Sequence, residues 1–218
     1  TAQNPATATS LYNVAVGYQA GASVTTSIQN TLIGALAGDA LTTSAGLNVA
    51  VGYAALSSDD VGNHSTAIGH GALFSQNYAT ATDSNNTAVG YNAGNAVSTS
   101  IQNTLLGGRS GESLTSGNFN TMVGYLAGGH SVDTETGEKN TIVGSFSHTS
   151  ATDSDNQIVL GHDVTGSADN TLTFGVADTD TRINFSDGAI SQPSDERYKE
   201  DIVTSTAGLS FVNDLRPV

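Results

Sequence analysis

The chain has 218 residues, with 20 Asp and Glu against 6 Lys and Arg, a net charge of −14, no Cys, no Trp and 25 Gly. That balance excludes a basic nucleic-acid groove, because phosphate affinity comes from clustered Lys and Arg, and the lack of Cys excludes disulfide frameworks and thiol chemistry. No apolar run approaches the roughly 18 residues of a membrane span, and only 3 Pro among many β-branched residues favour repetitive β-structure over disorder.

Residues 1–12 read as a lead-in. From Asn13 onward one short pattern recurs. Asn13-Val14-Ala15-Val16-Gly17 returns as Asn30 to Gly34 and Asn48 to Gly52, and with Ser65 in place of Asn ahead of Gly69. It continues as Asn86 to Gly90, Asn103 to Gly107, Asn120 to Gly124 and Asn140 to Gly144, with looser copies ending at Gly161 and Gly175. Successive glycines are 17, 18, 17, 21, 17, 17, 20, 17 and 14 residues apart. A near-constant period of this length marks a repeat architecture. A longer period overlies it: Ser27 to Leu32 recurs as Ser100 to Leu105, 73 positions later. Residues 13–75 and 86–148 are thus a duplicated block of four coils.

One coil has a simple physical reading. Thr87-Ala88-Val89 suffices for a strand and is far too short for a helix. The glycine after it supplies a positive φ or a close backbone approach at a corner. The Asn bonds neighbouring backbone and tolerates left-handed geometry. Ser98 to Gln102 is expected to form a second strand, giving two strands and two corners per coil. The fold class is therefore all-β, a parallel β-roll or β-solenoid of coils of about 17 residues over residues 13–164. So thin a roll buries few of its apolar groups, and tyrosines directly follow Gly17, Gly52, Gly90 and Gly124. Oligomerisation rescues a core too small to stand alone, and the simplest arrangement is a homotrimer about a common axis.

The enlarged coils place extra residues at Phe74 to Tyr78 and at His130 to Glu135. Insertions in repeat arrays map to loops on one face, often the binding face. Phe74, Tyr78 and His130 are the candidate receptor contacts, with Tyr78 favoured as an exposed aromatic that stacks on a sugar. His70 and His162 occupy the position that tyrosine takes in other coils. The acidic pairs Asp153/Asp155 and Asp178/Asp180 lack the spacing of a calcium loop. No metal or cofactor is assigned.

Residues 165–193 read as a β transition or neck, including the strand-like Thr181 to Phe185. From Ser194 to Val218 the pattern turns charged, and Ile202, Leu209, Val212 and Leu215 suggest a short helical stub with one apolar face.

Over residues 11–165 the pattern Asn-Thr-Ala-Val-Gly, as in Asn86 to Gly90, resembles the heads of trimeric autotransporter adhesins. That resemblance implies a left-handed parallel β-roll in a trimer. The segment Ser194-Asp195-Glu196-Arg197-Tyr198-Lys199, followed by Leu215-Arg216-Pro217-Val218, resembles the start of the intramolecular chaperone of endosialidases and phage tail fibres. This second resemblance implies autocleavage of a precursor at Pro193–Ser194, with Ser194 as nucleophile and Lys199 as its base. Such a base must be a neutral amine. The expected function is a structural and adhesive segment of an extracellular fibre, most simply a phage tail fibre, bound to itself as a homotrimer and to a host-surface glycan or protein. A bacterial surface adhesin or filament, a self-cleaving Ser-Lys peptidase precursor and a polysaccharide-degrading tailspike are the alternatives.

Overall fold

A computed structural model of the protein describes residues 11–129, 132–177 and 180–185. The repeat folds as a parallel β-solenoid, and there is no helix among the described residues. Each glycine-terminated run supplies one strand: β1 (Val14–Val16), β2 (Thr31–Ile33), β3 (Val49–Val51), β5 (Thr66–Ile68), β7 (Thr87–Val89), β8 (Thr104–Leu106), β9 (Thr121–Val123), β10 (Thr141–Val143), β11 (Ile158–His162) and β12 (Thr171–Val176). With β13 (Thr181–Asn184) they form an 11-stranded sheet in chain order. Neighbours pair in parallel except β13, which turns back antiparallel on β12. The sheet therefore runs on without a break across the boundary at residue 164.

Register is kept through the enlarged coils. Ala67 pairs with Ala88 across the 21-residue step, and Met122 with Ile142 across the 20-residue step. The extra residues are absorbed away from the sheet. The middle residue of each three-residue strand of the sheet points inward, so Leu32, Ala67, Ala88, Leu105, Met122 and Ile142 are fully buried. A second inward row lies three residues after each glycine, at Ala20, Ala37, Ala55, Ala72, Ala93 and Ala127, and larger groups such as Leu41, Leu73, Val97 and Leu114 close the core from the far side. Alternating small and large groups in this way fills a narrow interior without voids.

The expected second strand is not a general feature of the coils. The stretch Ser98 to Gln102 is not extended β-structure, and away from the main sheet the only described strand pair is β4 (Gly62–Asn63) with β6 (Thr82–Asp83). The cause is backbone conformation. The residue before each Asn is left-handed, including Gln29 at φ 57°, Leu47 at 60°, Gln102 at 59° and Phe119 at 61°. A left-handed residue breaks an extended run. Adjacent coils join there by separate bonds, such as Ser98 N–H to the Thr115 carbonyl at 3.0 Å. The left-handed geometry foreseen for Asn itself thus belongs to its predecessor.

The asparagines are buried and stacked. The Oδ1 of one accepts the backbone N–H of the next: Asn30 to Asn13 at 2.7 Å, Asn103 to Asn86 at 2.9 Å and Asn120 to Asn103 at 2.8 Å. Their Nδ2 groups donate to carbonyls across the coil, as Asn120 does to Gly137 at 2.8 Å. The ladder satisfies buried backbone groups that no strand serves. At the corners, Gly17, Gly34, Gly52, Gly69, Gly90, Gly107, Gly124 and Gly144 have φ between 133° and 145°. A Cβ on any of them would collide with the backbone of the following coil's glycine. Both reasons foreseen for glycine therefore hold at once.

Candidate functional site

In the three-residue strands the first and third residues point outward, and in β11 Ile158 and Leu160 continue the two rows. Val16, Ile33, Ile68, Leu106, Val143 and Leu160 form one outward row and are 37–58% exposed, beside a row that includes Thr66, Thr87, Thr104, Thr121 and Thr141. No Asp or Glu lies on any strand of this sheet, and Arg182 on β13 is its only Lys or Arg. At about 4.8 Å per strand spacing, the face is a stripe roughly 45 Å long. An uncharged stripe of that extent, carrying one apolar row, on a chain so rich in acid is a candidate interaction surface.

One residue past each glycine, beyond the corner, runs a second row. Backbone bonds hold its rungs in register: Ala54 N–H to Ala35 O, Asn92 N–H to His70 O, Arg109 N–H to Tyr91 O and Leu126 N–H to Gly108 O. Its side chains are Tyr18, Ala35, Tyr53, His70, Tyr91, Gly108 and Tyr125 in successive coils. The His70 ring lies 5.1 Å from that of Tyr53 and 5.4 Å from that of Tyr91. Further on, Phe146 meets Tyr125 edge-on at 5.5 Å and His162 at 5.7 Å. Tyr53, Tyr91 and Tyr125 thus gain part of their cover from the neighbouring rings of His70 and Phe146.

Beside Gly108 sits Arg109, the first Lys or Arg of the chain. Its Nε donates to Glu112 Oε2 at 2.6 Å. That bond, followed by a hydrogen bond to Tyr125, raises the guanidinium further above its ordinary value and keeps it charged. This ion pair is a product of the turn that joins the two residues, and composition alone gave no sign of it.

The enlarged coil encloses a buried polar cluster. Ser65 is too short to continue the asparagine ladder, and Gln76 from the inserted residues reaches in beside it. Gln76 Nε2 donates to Ser65 Oγ at 2.7 Å and to Asp59 Oδ2 at 2.6 Å, while its Oε1 accepts Asn86 Nδ2 at 2.9 Å. Asp59 Oδ1 accepts the Gly62 N–H at 2.8 Å. Burial pushes the Asp59 carboxyl above its ordinary value, against the lowering influence of those donors. Tyr78 belongs to the same cluster. Its hydroxyl donates to the Ser100 carbonyl at 2.7 Å and accepts Asn86 Nδ2 at 3.2 Å. Burial, and then the charge of Asp59, push its phenol well above the usual range.

Tyr78 is therefore corrected as a receptor contact. It is 6% exposed, because the insertion folds inward to repair the ladder. Phe74 is exposed at the same coil, whereas His130 lies outside the described residues. Of the other histidines, His64 Nδ1 meets Asp83 at 3.2 Å and His148 is buried with Nδ1 against the Thr149 carbonyl. Asp155 accepts the Glu138 N–H at 2.7 Å, and among the described residues no group of His, Asp and Glu is arranged to hold a metal. Pro193, Ser194, Lys199 and the expected helical stub lie outside the described residues. No protein family, curated protein or solved structure matches the chain.

Proposed function

We propose that the protein is a structural and adhesive segment of an extracellular homotrimeric fibre, specifically of a phage tail fibre that attaches to a host surface. The observation that carries this reading is the uncharged outward face of the sheet. No Asp or Glu among the described residues lies on any strand of it, as expected of a face removed from water by packing. Three such faces turned toward one axis bury each other's Val, Ile and Leu, and leave the acidic loops outside as a soluble coat. Stacked coils with backbone bonds between every pair make an extended, stiff element suited to a shaft. The phage assignment draws on the Ser194 to Lys199 segment and its resemblance to the intramolecular chaperone that registers three chains, with autocleavage confined to the precursor and a short C-terminal helix at its start.

Light scattering on the purified chain, with denaturing mass spectrometry alongside, tests the reading. A solution mass three times 22.0 kDa supports the fibre, and chains ending at Pro193 add the autocleavage. A stable monomer defeats the reading.

A further inference from the structure

The ring ladder is interrupted twice, at equivalent places of the duplicated block. Between Tyr53 and Tyr91 the intervening coil supplies His70, with ring centroids 5.1 and 5.4 Å away. Tyrosines two coils apart therefore hold one ring between them. Tyr18 and Tyr53 are also two coils apart, as are Tyr91 and Tyr125, but the rungs between are Ala35 and Gly108. At about 4.8 Å per coil, the backbones of each pair of tyrosines stand roughly 10 Å apart with no ring borne by the rung between, and the edge of the Tyr125 ring leans over Gly108. The tyrosines are 46–72% exposed, so both pairs border solvent.

The two gaps differ in their polar neighbours. At Ala35 the next residue is Leu36, whereas at Gly108 it is Arg109. Arg109 and Glu112, with side chains 42% and 19% exposed, pair at 2.6 Å beside the Gly108 gap. The guanidinium has more N–H donors than Glu112 and Tyr125 use, and the carboxylate keeps acceptor capacity. Adjacent hydroxyls, each both donor and acceptor, match such a pair, and an aromatic flank receives an apolar ring face.

The geometry points to the Gly108 gap as a carbohydrate clip, in which the pyranose ring of a neutral glycan enters between Tyr91 and Tyr125 and gives its hydroxyls to Arg109 and Glu112. A neutral sugar fits because the ion pair is already balanced. The clip rests on the adhesive reading above and supplies it with a ligand class. It also moves the receptor contact from Tyr78 to the row beyond the corner, clear of the sheet face that the trimer covers.

Gly108 provides the test. Its φ is not left-handed, and a Cβ there would lie 3.5 Å from Tyr125 Cδ2, an ordinary contact. Gly108→His thus fills the rung from within, as His70 fills its own, while the coil stays folded by circular dichroism. Calorimetric titration of the intact protein uses two neutral probes, cellohexaose and chitohexaose, and one acidic probe, a galacturonate hexamer. The clip predicts binding of a neutral hexamer, weakened about tenfold (about 1.4 kcal/mol) or more by Tyr91→Ala, abolished by Gly108→His and retained by Ala35→His. Failure of both neutral hexamers to bind, binding of the galacturonate alone, or unchanged binding in Gly108→His overturns it. Molar mass measured on the same samples separates the two readings. A trimer that binds neither neutral probe sinks the clip alone, and a monomer that binds sinks the trimer alone. If Gly108→His breaks the trimer, the gap holds a neighbouring chain and the clip is wrong.

Discussion

Gly90 and Gly108 are both corner glycines in sequence, but they obey different constraints. Gly90 has φ 145°, and the Gly107 carbonyl occupies the space a Cβ would need. Gly90→Ala combines a disfavoured backbone with a collision against the next coil, so it should cost about 2 kcal/mol or more. Gly108→Ala, with neither problem, should lie within about 0.5 kcal/mol of the parent. Urea unfolding of the two variants side by side checks the contrast. The asparagines carry a comparable burden. Asn103 accepts the Asn120 N–H and donates to Ser100 Oγ and to the Gly117 carbonyl, both at 3.1 Å. Asn103→Ala leaves a buried N–H and two buried acceptors with lost partners, a loss of about 2–3 kcal/mol read as a lowered urea midpoint with an unchanged slope.

At the scale of one coil, the 21-residue step shows how a broken ladder is repaired. Ser65 stops the chain of amides, and Gln76 and Tyr78 replace its missing reach, with Asp59 buried among them. Because burial raises the folded-state pKa of Asp59, the folded coil binds a proton more readily than the unfolded chain does. Its contribution to stability is full below the ordinary value of 3.8 and is lost as the pH rises through the raised one. Asp59→Asn should therefore remove a part of the fall in stability between about pH 4 and neutrality, relative to the parent. Parallel denaturation series at several pH values check it, and identical slopes for the two proteins would count against a buried, proton-accepting Asp59. The coil period, the strand ahead of each glycine and the corner glycines were legible in the sequence, since a fixed period with one glycine per turn admits few backbones, whereas the second strand expected at Ser98 to Gln102 does not form. The enlarged loop was misread because Tyr78 was judged by its neighbours in sequence. Its fate is decided by Ser65, Asn86 and Ser100, which stacking brings to it. The left-handed residues were illegible for a related reason: Leu47, Phe119 and Lys139 adopt φ of 58–61° that their own propensity opposes, and only the stacked bonds of adjacent coils hold them there. The ring ladder was half legible. The tyrosine positions follow from the period, but the Arg109–Glu112 pair depends on the fold of the turn.

For the whole molecule, the proposed function divides the work between the two long rows, giving the sheet face to assembly and the row beyond the corner to contact with other molecules. Leu106 separates them experimentally, because its side chain points outward from the middle of the sheet and takes no part in the coil's own core. Leu106→Lys leaves the inward Leu105 and the asparagine ladder in place, so each chain should keep its β-rich dichroism. In a trimer closed by this face, however, the substitution brings three ammonium groups to one level of the axis. Burying unpaired like charges costs several kcal/mol for each ion, enough to move the assembly by orders of magnitude in concentration. Light scattering should then give the parent at three chain masses and the variant at one. An Ala35→Lys substitution, placed on the other row, should leave the trimer whole. If Leu106→Lys retained the parent mass, the uncharged stripe would have to be covered by something other than the protein's own copies.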